Sequence, residues 1–288
     1  MKLDSPLMSA AALQQALATP GADVLVLDCS FDLTNPAAGR RAHDAGHVPG
    51  AFYVSLDDTM SSAKTGLNGR HPLPTREAFA SAMAALGADD HTPIVAYDNA
   101  GGMYAARLWW MLRWAGHAQV SVLDGGYAAW LAAGAVAAST PTVPRAPGAF
   151  TLRPALVQAV SYADVLANTQ TRERLVVDAR AADRFRGENE TLDPVGGRIP
   201  GAVNRLFRNN LAADGRFKPA ADLRAEWLAL LGDMPVSRVI NQCGSGVTAC
   251  HNLLALESAG LTGAALYPGS WSEWCAQPGA PIATGADA

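Results

Sequence analysis

The chain contains the stretch Pro235-Val-Ser-Arg-Val-Ile-Asn-Gln-Cys-Gly-Ser-Gly-Val-Thr-Ala-Cys250, in which an apolar segment runs into a turn with two glycines. Residues 235–242 have the pattern of a short buried parallel strand. The residues from Thr248 to Ala259 predict a helix that ends at the following glycine. Cys243 is therefore expected where a strand ends and a helix begins.

This position gives the Cys243 thiol a chemical role. Gly244 and Gly246 allow several backbone N–H groups to turn toward one point. These donors, together with the positive end of the following helix, favour a thiolate over a thiol. A thiolate is nucleophilic and forms covalent intermediates. The alternative is a buried structural cysteine, which is the commoner use of a single thiol, but the strand–loop–helix context favours the nucleophile.

Length and composition indicate a globular protein. The chain has 288 residues, of which 49% are hydrophobic and 17% are charged. This balance argues against disorder, and the length allows one large domain or two of about 140 residues each. The formal net charge is −4, so there is no electrostatic footprint for nucleic acid or for an anionic membrane. Small anionic substrates are compatible with it, because a local arginine matters more than the total charge.

Cysteine usage and motifs predict neither a disulfide scaffold nor a cofactor. Four cysteines are too few for such a scaffold in a chain of this length, which favours a reducing, cytoplasmic setting. Cys243 and Cys250 lie seven residues apart, a spacing typical of neither a C-x-x-C redox pair nor a zinc site. Without a nucleotide-binding glycine motif, we expect no metal and no organic cofactor. The N-terminus predicts a helix rather than a secretion signal, and no apolar run reaches the roughly 18 residues of a membrane span.

The two halves of the chain repeat the same blocks in the same order, at an offset of about 150 residues. A repeat of this kind indicates a duplicated structural unit. The paired blocks are Val24–Asp28 with Leu175–Asp178, Gly46–Ala51 with Gly197–Ala202, Ile94–Asp98 with Val239–Cys243, and Gly125–Trp130 with Gly269–Trp274.

Within each half, short apolar strands alternate with helical segments, which predicts an α/β fold with a mostly parallel sheet and helices on both faces. The Pro-rich segment 137–150 is predicted to link a domain at 1–136 to a domain at 151–288. Ligands of such sheets bind at the carboxyl ends of strands, where Cys243 lies. Its counterpart in the first half is Asp98, so we expect the first domain to be non-catalytic.

The motifs resemble the two-domain rhodanese family over nearly the whole chain. They are Gly46-His-Val-Pro-Gly-Ala51, Leu123-Asp-Gly-Gly-Tyr127, Cys243-Gly-Ser-Gly-Val-Thr-Ala249 and Gly269-Ser-Trp-Ser-Glu-Trp274. The resemblance implies two tandem rhodanese-like domains. The loop after Cys243 is most similar to that of 3-mercaptopyruvate sulfurtransferases, since thiosulfate-preferring rhodaneses typically carry Arg-Lys where this chain has Gly244 and Ser245.

The resemblance implies a ping-pong sulfurtransferase. A small anionic donor, 3-mercaptopyruvate, gives a sulfane sulfur to Cys243, and the persulfide then passes it to thioredoxin, a low-molecular-weight thiol or cyanide. Thiosulfate:cyanide transfer by the same mechanism and a non-enzymatic rhodanese-like module are the alternatives. A related fold holds Cys-x5-Arg phosphatases, but Ala249 stands where the arginine is required. The N–H groups expected to stabilise the persulfide belong to Gly244, Gly246, Val247, Thr248 and Ala249.

The resemblance also implies a proton relay. Ser245 is the loop serine of this relay, and the family's histidine corresponds to His71 in Gly69-Arg-His-Pro-Leu-Pro74. Its acid corresponds to Asp57, with Asp58 as the alternative. Histidine is suited to this task because its ordinary pKa lies near neutrality. A plain loop position in a Pro-rich turn is the structural alternative for His71, and for Thr248 the structural alternative is a cap of the following helix.

Donor binding is expected from arginine. The family's carboxylate-binding arginine corresponds to Arg184, a residue type that suits a bidentate grip on a 2-oxo acid, and Arg186 is the alternative. The chain departs from the animal mercaptopyruvate enzymes at two positions. Their second arginine falls at Asp193, and their histidine before Ile-Pro-Gly is Arg198. Either Arg198 compensates, or the pocket takes a different donor.

Overall fold

The structure is a computed structural model that describes residues 1–285, and in it the chain forms two compact units. Each unit takes in a short segment from the other half of the chain. The first unit consists of Met1–Ser62, Pro74–Leu156 and Ala212–Phe217, and the second of Ala63–Leu73, Val157–Leu211 and the residues from Lys218 onward.

The first unit alternates strands and helices, as its sequence pattern predicts. Its strands in the described chain are β1 (Leu7–Met8), β2 (Leu25–Asp28), β3 (Phe52–Tyr53), β4 (Ile94–Tyr97) and β5 (Val120–Leu123). Its helices are α1 (Ala10–Ala18), α2 (Ala37–Ala45), α3 (Arg76–Ala85), α4 (Met103–Trp114) and α5 (Gly126–Ala132).

The second unit repeats this alternation. Its strands within residues 1–285 are β6 (Gln158–Ala159), β7 (Leu175–Asp178), β8 (Val203–Asn204), β9 (Val239–Gln242) and β10 (Ala265–Leu266). Its helices are α6 (Tyr162–Thr171), α7 (Ala182–Arg186), α8 (Ala220–Leu231), α9 (Thr248–Ser258) and α10 (Ser270–Trp274), with short 3-10 turns at Phe207–Asn210 and Val236–Arg238.

Each unit contains one five-stranded parallel sheet, and the strand orders are equivalent. The first sheet runs β1-β5-β4-β2-β3, and the second runs β6-β10-β9-β7-β8. Leu25 pairs with Ile94 in the first sheet, as Leu175 pairs with Val239 in the second. The predicted α/β class with a parallel sheet flanked by helices is confirmed, and β4 and β9 are corresponding strands.

The central strands are buried on both faces, which explains why they read as continuous apolar runs rather than as alternating patterns. All four residues of β2, β4, β5 and β9 are buried. In the first unit, Leu13 of α1 and Trp130 of α5 pack in one cluster with Val26 and Val95 of the sheet. None of the described helices combines the length and apolarity that a membrane crossing requires.

The Pro-rich segment 137–150 is hydrogen-bonded to the first unit along much of its length. The backbones of Ala138 and His47 pair with each other, and Thr142 Oγ1 donates to the carbonyl of Ala51. Near its end, the N–H of Gly148 donates to the carbonyl of Ala84. The prolines therefore give an extended strap on this unit instead of a free tether.

The loop after β4 encloses the carboxylate of Asp98. Four backbone N–H groups donate to this carboxylate, from Ala100, Gly102, Tyr104 and Ala105, at 2.8–2.9 Å. Burial raises the pKa of Asp98, although these four hydrogen bonds act in the opposite direction. The first unit thus uses its loop as an anion cradle and fills the cradle with its own side chain.

Replacing Asp98 by alanine is predicted to destabilise the first unit by about 3 kcal/mol, because four converging N–H groups lose their acceptor. Urea unfolding followed by circular dichroism measures this loss. Asp44→Ala is the matched control, since this carboxylate is 62% exposed on α2 and its contact with Arg40 is long, at 4.0 Å. Equal stability of the Asp98→Ala and Asp44→Ala proteins would contradict a structural role for the cradle.

Candidate active site

Cys243 lies directly after β9, and α9 begins five residues later at Thr248. Its side chain is buried, with the residue 2% exposed. The N-terminal end of α9, which carries the positive end of the helix dipole, therefore follows the thiol along the loop. This is the strand–loop–helix arrangement that the sequence predicts.

The first turn of α10, which follows the neighbouring strand β10, holds the backbone of Cys243. The N–H of Cys243 donates to Ser270 Oγ at 3.1 Å, and its carbonyl accepts from the N–H of Trp271 at 3.0 Å. The carbonyl of Gly244 accepts from the N–H of Ser272 at 2.9 Å. The first three residues of α10 thus fix the first two residues of the loop.

Ser270 is a site residue that the sequence analysis did not single out. It is fully buried with φ of +54°, a left-handed conformation that is uncommon for a residue other than glycine. Its hydroxyl donates to the carbonyl of Tyr267 at 2.9 Å and accepts from Cys243. The signal for it was present, because the paired block has Gly126 where the second half has serine.

Gly246 adopts φ of +76°, and a Cβ at this position would overlap the carbonyl oxygen of Pro268. A side chain is therefore excluded both by the backbone conformation and by the space available. The carbonyl of Gly246 accepts a hydrogen bond from Cys250 Sγ at 3.3 Å. Cys250 is fully buried, so its thiol supports the loop.

The helix after the loop begins without a side-chain cap. Val247 occupies the cap position with no side-chain hydrogen bond, and Thr248 is the first helical residue. The structural alternative for Thr248, a helix cap, is therefore not realised. Ala249 is fully buried in the first turn of the helix.

Two members of the predicted relay meet in the second unit. His71 Nδ1 and Ser245 Oγ lie 2.7 Å apart in a hydrogen bond whose donor depends on the imidazole tautomer. Both residues are buried, at 4% and 6% exposure. His71 belongs to the segment Ala63–Leu73 of the second unit, whereas Asp57 and Asp58 belong to the first unit.

The segment with His71 is held in the second unit by backbone contacts. The N–H of Arg70 donates to Ser272 Oγ at 3.0 Å, and Gln277 Nε2 donates to the carbonyl of Leu67 at 2.7 Å. The N–H of Ser272 also donates to the carbonyl of Gly244. Ser272 of α10 therefore binds both the segment that carries His71 and the loop that carries Cys243.

Arg184 lies beside the cysteine loop. Its Nη2 and Nη1 atoms are 3.6 and 3.8 Å from the point that a Cβ of Gly244 would occupy. The carboxylate of Glu190 accepts hydrogen bonds from Arg184 Nε at 2.9 Å and from its Nη2 at 2.8 Å. Asp193, at the position of the second expected arginine, accepts from Arg184 Nη2 at 3.3 Å.

Arg186 and Arg198 are engaged by other groups of the chain. Arg186 forms a bidentate pair with Glu188 at the surface. Arg198 is 1% exposed, donates to the carbonyl of Gly285 at 2.7 Å and packs over the ring of Phe185 at 4.8 Å. The Arg198 guanidinium thus holds the C-terminal segment in place.

A buried ion pair joins Arg180 to Asp178 at the end of β7. Arg180 donates to Asp178 through Nε and Nη2, and its guanidinium packs over the ring of Trp271 at 4.5 Å. Burial alone would lower the pKa of Arg180, but Asp178, Glu190 and Cys243 raise it. No sequence motif pointed to Arg180. Within residues 1–285, no three His, Cys, Asp or Glu side chains are grouped so that they could hold a metal ion.

A family model of the rhodanese-like domain matches residues 9–133 and again residues 161–277. The two matches fall on the two halves that the repeated blocks define. The chain belongs to the rhodanese-like family. Its second rhodanese-like domain carries Cys243 in the loop where the first carries Asp98.

Relatives with assigned names include both kinds of sulfurtransferase. The chain is 43% identical to the "Probable 3-mercaptopyruvate sulfurtransferase" of Pseudomonas aeruginosa, over 97% of this chain and 98% of that protein. It is 37% identical to the thiosulfate sulfurtransferase of Bos taurus, over 88% of this chain and 86% of that one. Among solved structures, 3-mercaptopyruvate sulfurtransferase from Leishmania major superposes with a TM-score of 0.83 at 29% identity, covering 94% of this chain and 74% of that chain.

The rhodanese loop gives a direct test of its glycine. Gly246→Ala is predicted to destabilise the second unit by more than about 2 kcal/mol, because left-handed strain and overlap with Pro268 add together. Gly279→Ala is the matched control, since Gly279 has φ of +77° and open space around it. Thermal unfolding of the two variants isolates the overlap, and equal losses would show that strain alone accounts for the effect.

Proposed function

We propose that the chain is a sulfurtransferase that takes a sulfane sulfur from 3-mercaptopyruvate onto Cys243 and passes it to a thiol such as thioredoxin or a low-molecular-weight thiol, or to cyanide. The observation that carries the proposal is the 2.7 Å hydrogen bond between His71 and Ser245, two residues from a cysteine at a strand–helix junction. The named relatives support the same reaction class.

In the first half-reaction, the Cys243 thiolate attacks the sulfur of the donor and forms an S–S bond. The C–S bond of the donor breaks, and its electron pair leaves with carbon as the enolate of pyruvate. A proton completes pyruvate, and we assign its delivery to the His71–Ser245 pair. In the second half-reaction, an acceptor thiolate attacks the outer sulfur, the S–S bond breaks and the Cys243 thiolate returns.

The loop supplies the electrostatic support for this chemistry. The outer sulfur of a persulfide carries negative charge and needs converging N–H donors, which the loop between β9 and α9 can offer. The corresponding loop of the first unit supports this view, since it binds the carboxylate of Asp98 with four N–H groups. Cys243 stands at the equivalent place in the second unit.

The donor site is assigned to Arg184, whose guanidinium lies closest to Gly244 among the predicted arginines. A planar guanidinium suits the carboxylate of a 2-oxo acid. Thiosulfate is the second candidate donor, and the 37% identity to the bovine thiosulfate sulfurtransferase favours it. We propose a reducing, cytoplasmic setting for the protein, since four cysteines are too few for a disulfide scaffold in a chain of this length.

A side-by-side measurement of kcat/KM for 3-mercaptopyruvate and thiosulfate, with dithiothreitol as acceptor, tests the proposed donor. We expect the larger value for 3-mercaptopyruvate, with pyruvate released in step with sulfide. A larger value for thiosulfate would assign the second donor, and no turnover of either would reject the sulfurtransferase.

Cys243 is predicted to carry one sulfur per chain after treatment with donor alone. Burial raises the pKa of Cys29 well above its ordinary value and that of Cys275 to about 11, while Cys250 donates to the loop. These three thiols therefore remain unmodified. Mass spectrometry measures the added sulfur, which Cys243→Ser abolishes and the control Cys275→Ser retains. An added sulfur on the Cys243→Ser protein would move the chemistry elsewhere.

Ser245→Ala is predicted to lower kcat for 3-mercaptopyruvate by about 100-fold, because proton delivery to the enolate is lost. Thiosulfate turnover falls less, because sulfite leaves without needing that proton. Ser258→Ala is the control, since its hydroxyl donates to the carbonyl of Leu254 on the same helix. Equal losses for both donors would contradict the relay.

A further inference from the structure

Two guanidinium groups converge on the residue that follows Cys243. Arg70 Nη2 lies 2.7 Å from the point that a Cβ of Gly244 would occupy, nearer than any atom of Arg184. Arg70 was not among the residues predicted to bind the donor, although it precedes His71 directly. Its side chain is 23% exposed, and its Nε is buried without an acceptor in the part of the chain that the structure describes.

The carboxylate of Asp193 bridges the two arginines. One of its oxygens accepts from Arg70 Nη1, and the other accepts from Arg184 Nη2 at 3.3 Å. The Asp193 side chain is only 3% exposed, whereas that of Arg184 is 18% exposed. An internal carboxylate therefore holds one guanidinium nitrogen of each of the two arginines.

Glu190 sets the position of Asp193. Its Oε1 atom accepts from the backbone N–H groups of Leu192 and Asp193, at 2.9 and 3.1 Å, and so closes a turn from Glu190 to Asp193. The same carboxylate holds Arg184 and lies 3.4 Å from Arg180. Glu190 thus binds both the backbone of this turn and Arg184, and this fixes the backbone of Asp193 where its carboxylate reaches Arg70 and Arg184.

Three arginines and three carboxylates surround the loop, in addition to the Cys243 thiol. The positive groups are Arg70, Arg180 and Arg184, and the negative groups are Asp178, Glu190 and Asp193. Of the three carboxylates, Asp178 and Glu190 each make several hydrogen bonds to one guanidinium. Asp193 touches each arginine through a single nitrogen, so it is the member of the group that a ligand displaces at least cost.

We propose that Asp193 is an internal competitor for the donor site, and that Arg70 and Arg184 bind the carboxylate of a 2-oxo acid donor once that carboxylate replaces Asp193. This inference rests on the proposed function for the identity of the donor. Exchange of one carboxylate for another leaves the number of ion pairs unchanged. Arg70 then takes the part of the second arginine that the chain lacks at position 193.

Titration calorimetry with pyruvate on the Cys243→Ser background tests the exchange without turnover. Asp193→Asn is expected to lower the Kd of pyruvate about fivefold, because the competing charge is removed while the side chain keeps its shape. Glu188→Gln is the matched control, since it neutralises a carboxylate of the same loop that pairs with Arg186 instead. Its Kd is expected to match that of the background protein.

Arg70→Gln is expected to raise the Kd of pyruvate about fivefold, because one of the two cations is lost. In the Arg70→Gln protein, adding Asp193→Asn is expected to change the Kd by only about twofold, since a single arginine is then released. Asp193→Ser serves as a second neutral variant should the asparagine protein fail to fold, and thermal unfolding reports which variants are folded.

An unchanged or higher Kd in both neutral Asp193 variants would overturn the competitor role, and an unchanged Kd in Arg70→Gln would overturn the role of that arginine. Absence of pyruvate binding in every variant would also overturn the proposal. The proposed function fails separately, when the unmodified chain forms no persulfide from any donor. In turnover, Asp193→Asn is expected to lower KM for 3-mercaptopyruvate about fivefold at constant kcat, which a merely structural role for Asp193 would not produce.

Discussion

The site depends on the three hydrogen bonds by which the first three residues of α10 hold the backbone of Cys243 and Gly244. These bonds fix the backbone conformation of the loop between β9 and α9, which the ends of the strand and the helix do not determine by themselves. Ser270 makes one of these bonds from a left-handed backbone conformation, which costs free energy that the surrounding contacts must offset. Ser272 of the same helix accepts a hydrogen bond from the N–H of Arg70, so α10 holds both the nucleophile Cys243 and the arginine proposed to bind the donor.

The two rhodanese-like domains use one loop architecture for different ends. In the first, Asp98 supplies its own anion to the converging N–H groups, and the loop becomes a stable structural element. In the second, Cys243 carries no carboxylate, so the N–H groups of the corresponding loop remain for the negative charge of the transferred sulfur. The duplicated chain thus has one loop that stabilises the first domain, where Asp98 binds the N–H groups, and one loop that is free to carry out chemistry, where Cys243 stands.

The parts of the structure that were predictable are those set by local pattern. The repeated apolar strands and the glycines around Cys243 fix the parallel sheets and the loop, because burial and backbone conformation act over a few residues. The meeting of His71 with Ser245 followed from family resemblance, not from pattern. The pairing of Arg70 with Asp193 was not predictable, because it joins two irregular segments 123 residues apart whose course no periodicity describes.

The balance of charge around Gly244 bears on how such a site distinguishes its donors. Without Asp193, the Arg70 guanidinium would attract any small anion, and the more strongly the more charge that anion carried, while Arg184 would keep its pair with Glu190. With Asp193 between Arg70 and Arg184, an incoming anion gains only the difference between its own contacts and those it displaces. A planar carboxylate reproduces the geometry of the one it replaces, whereas a tetrahedral anion does not. Selection between donors then comes from the shape of the anion and not from its charge.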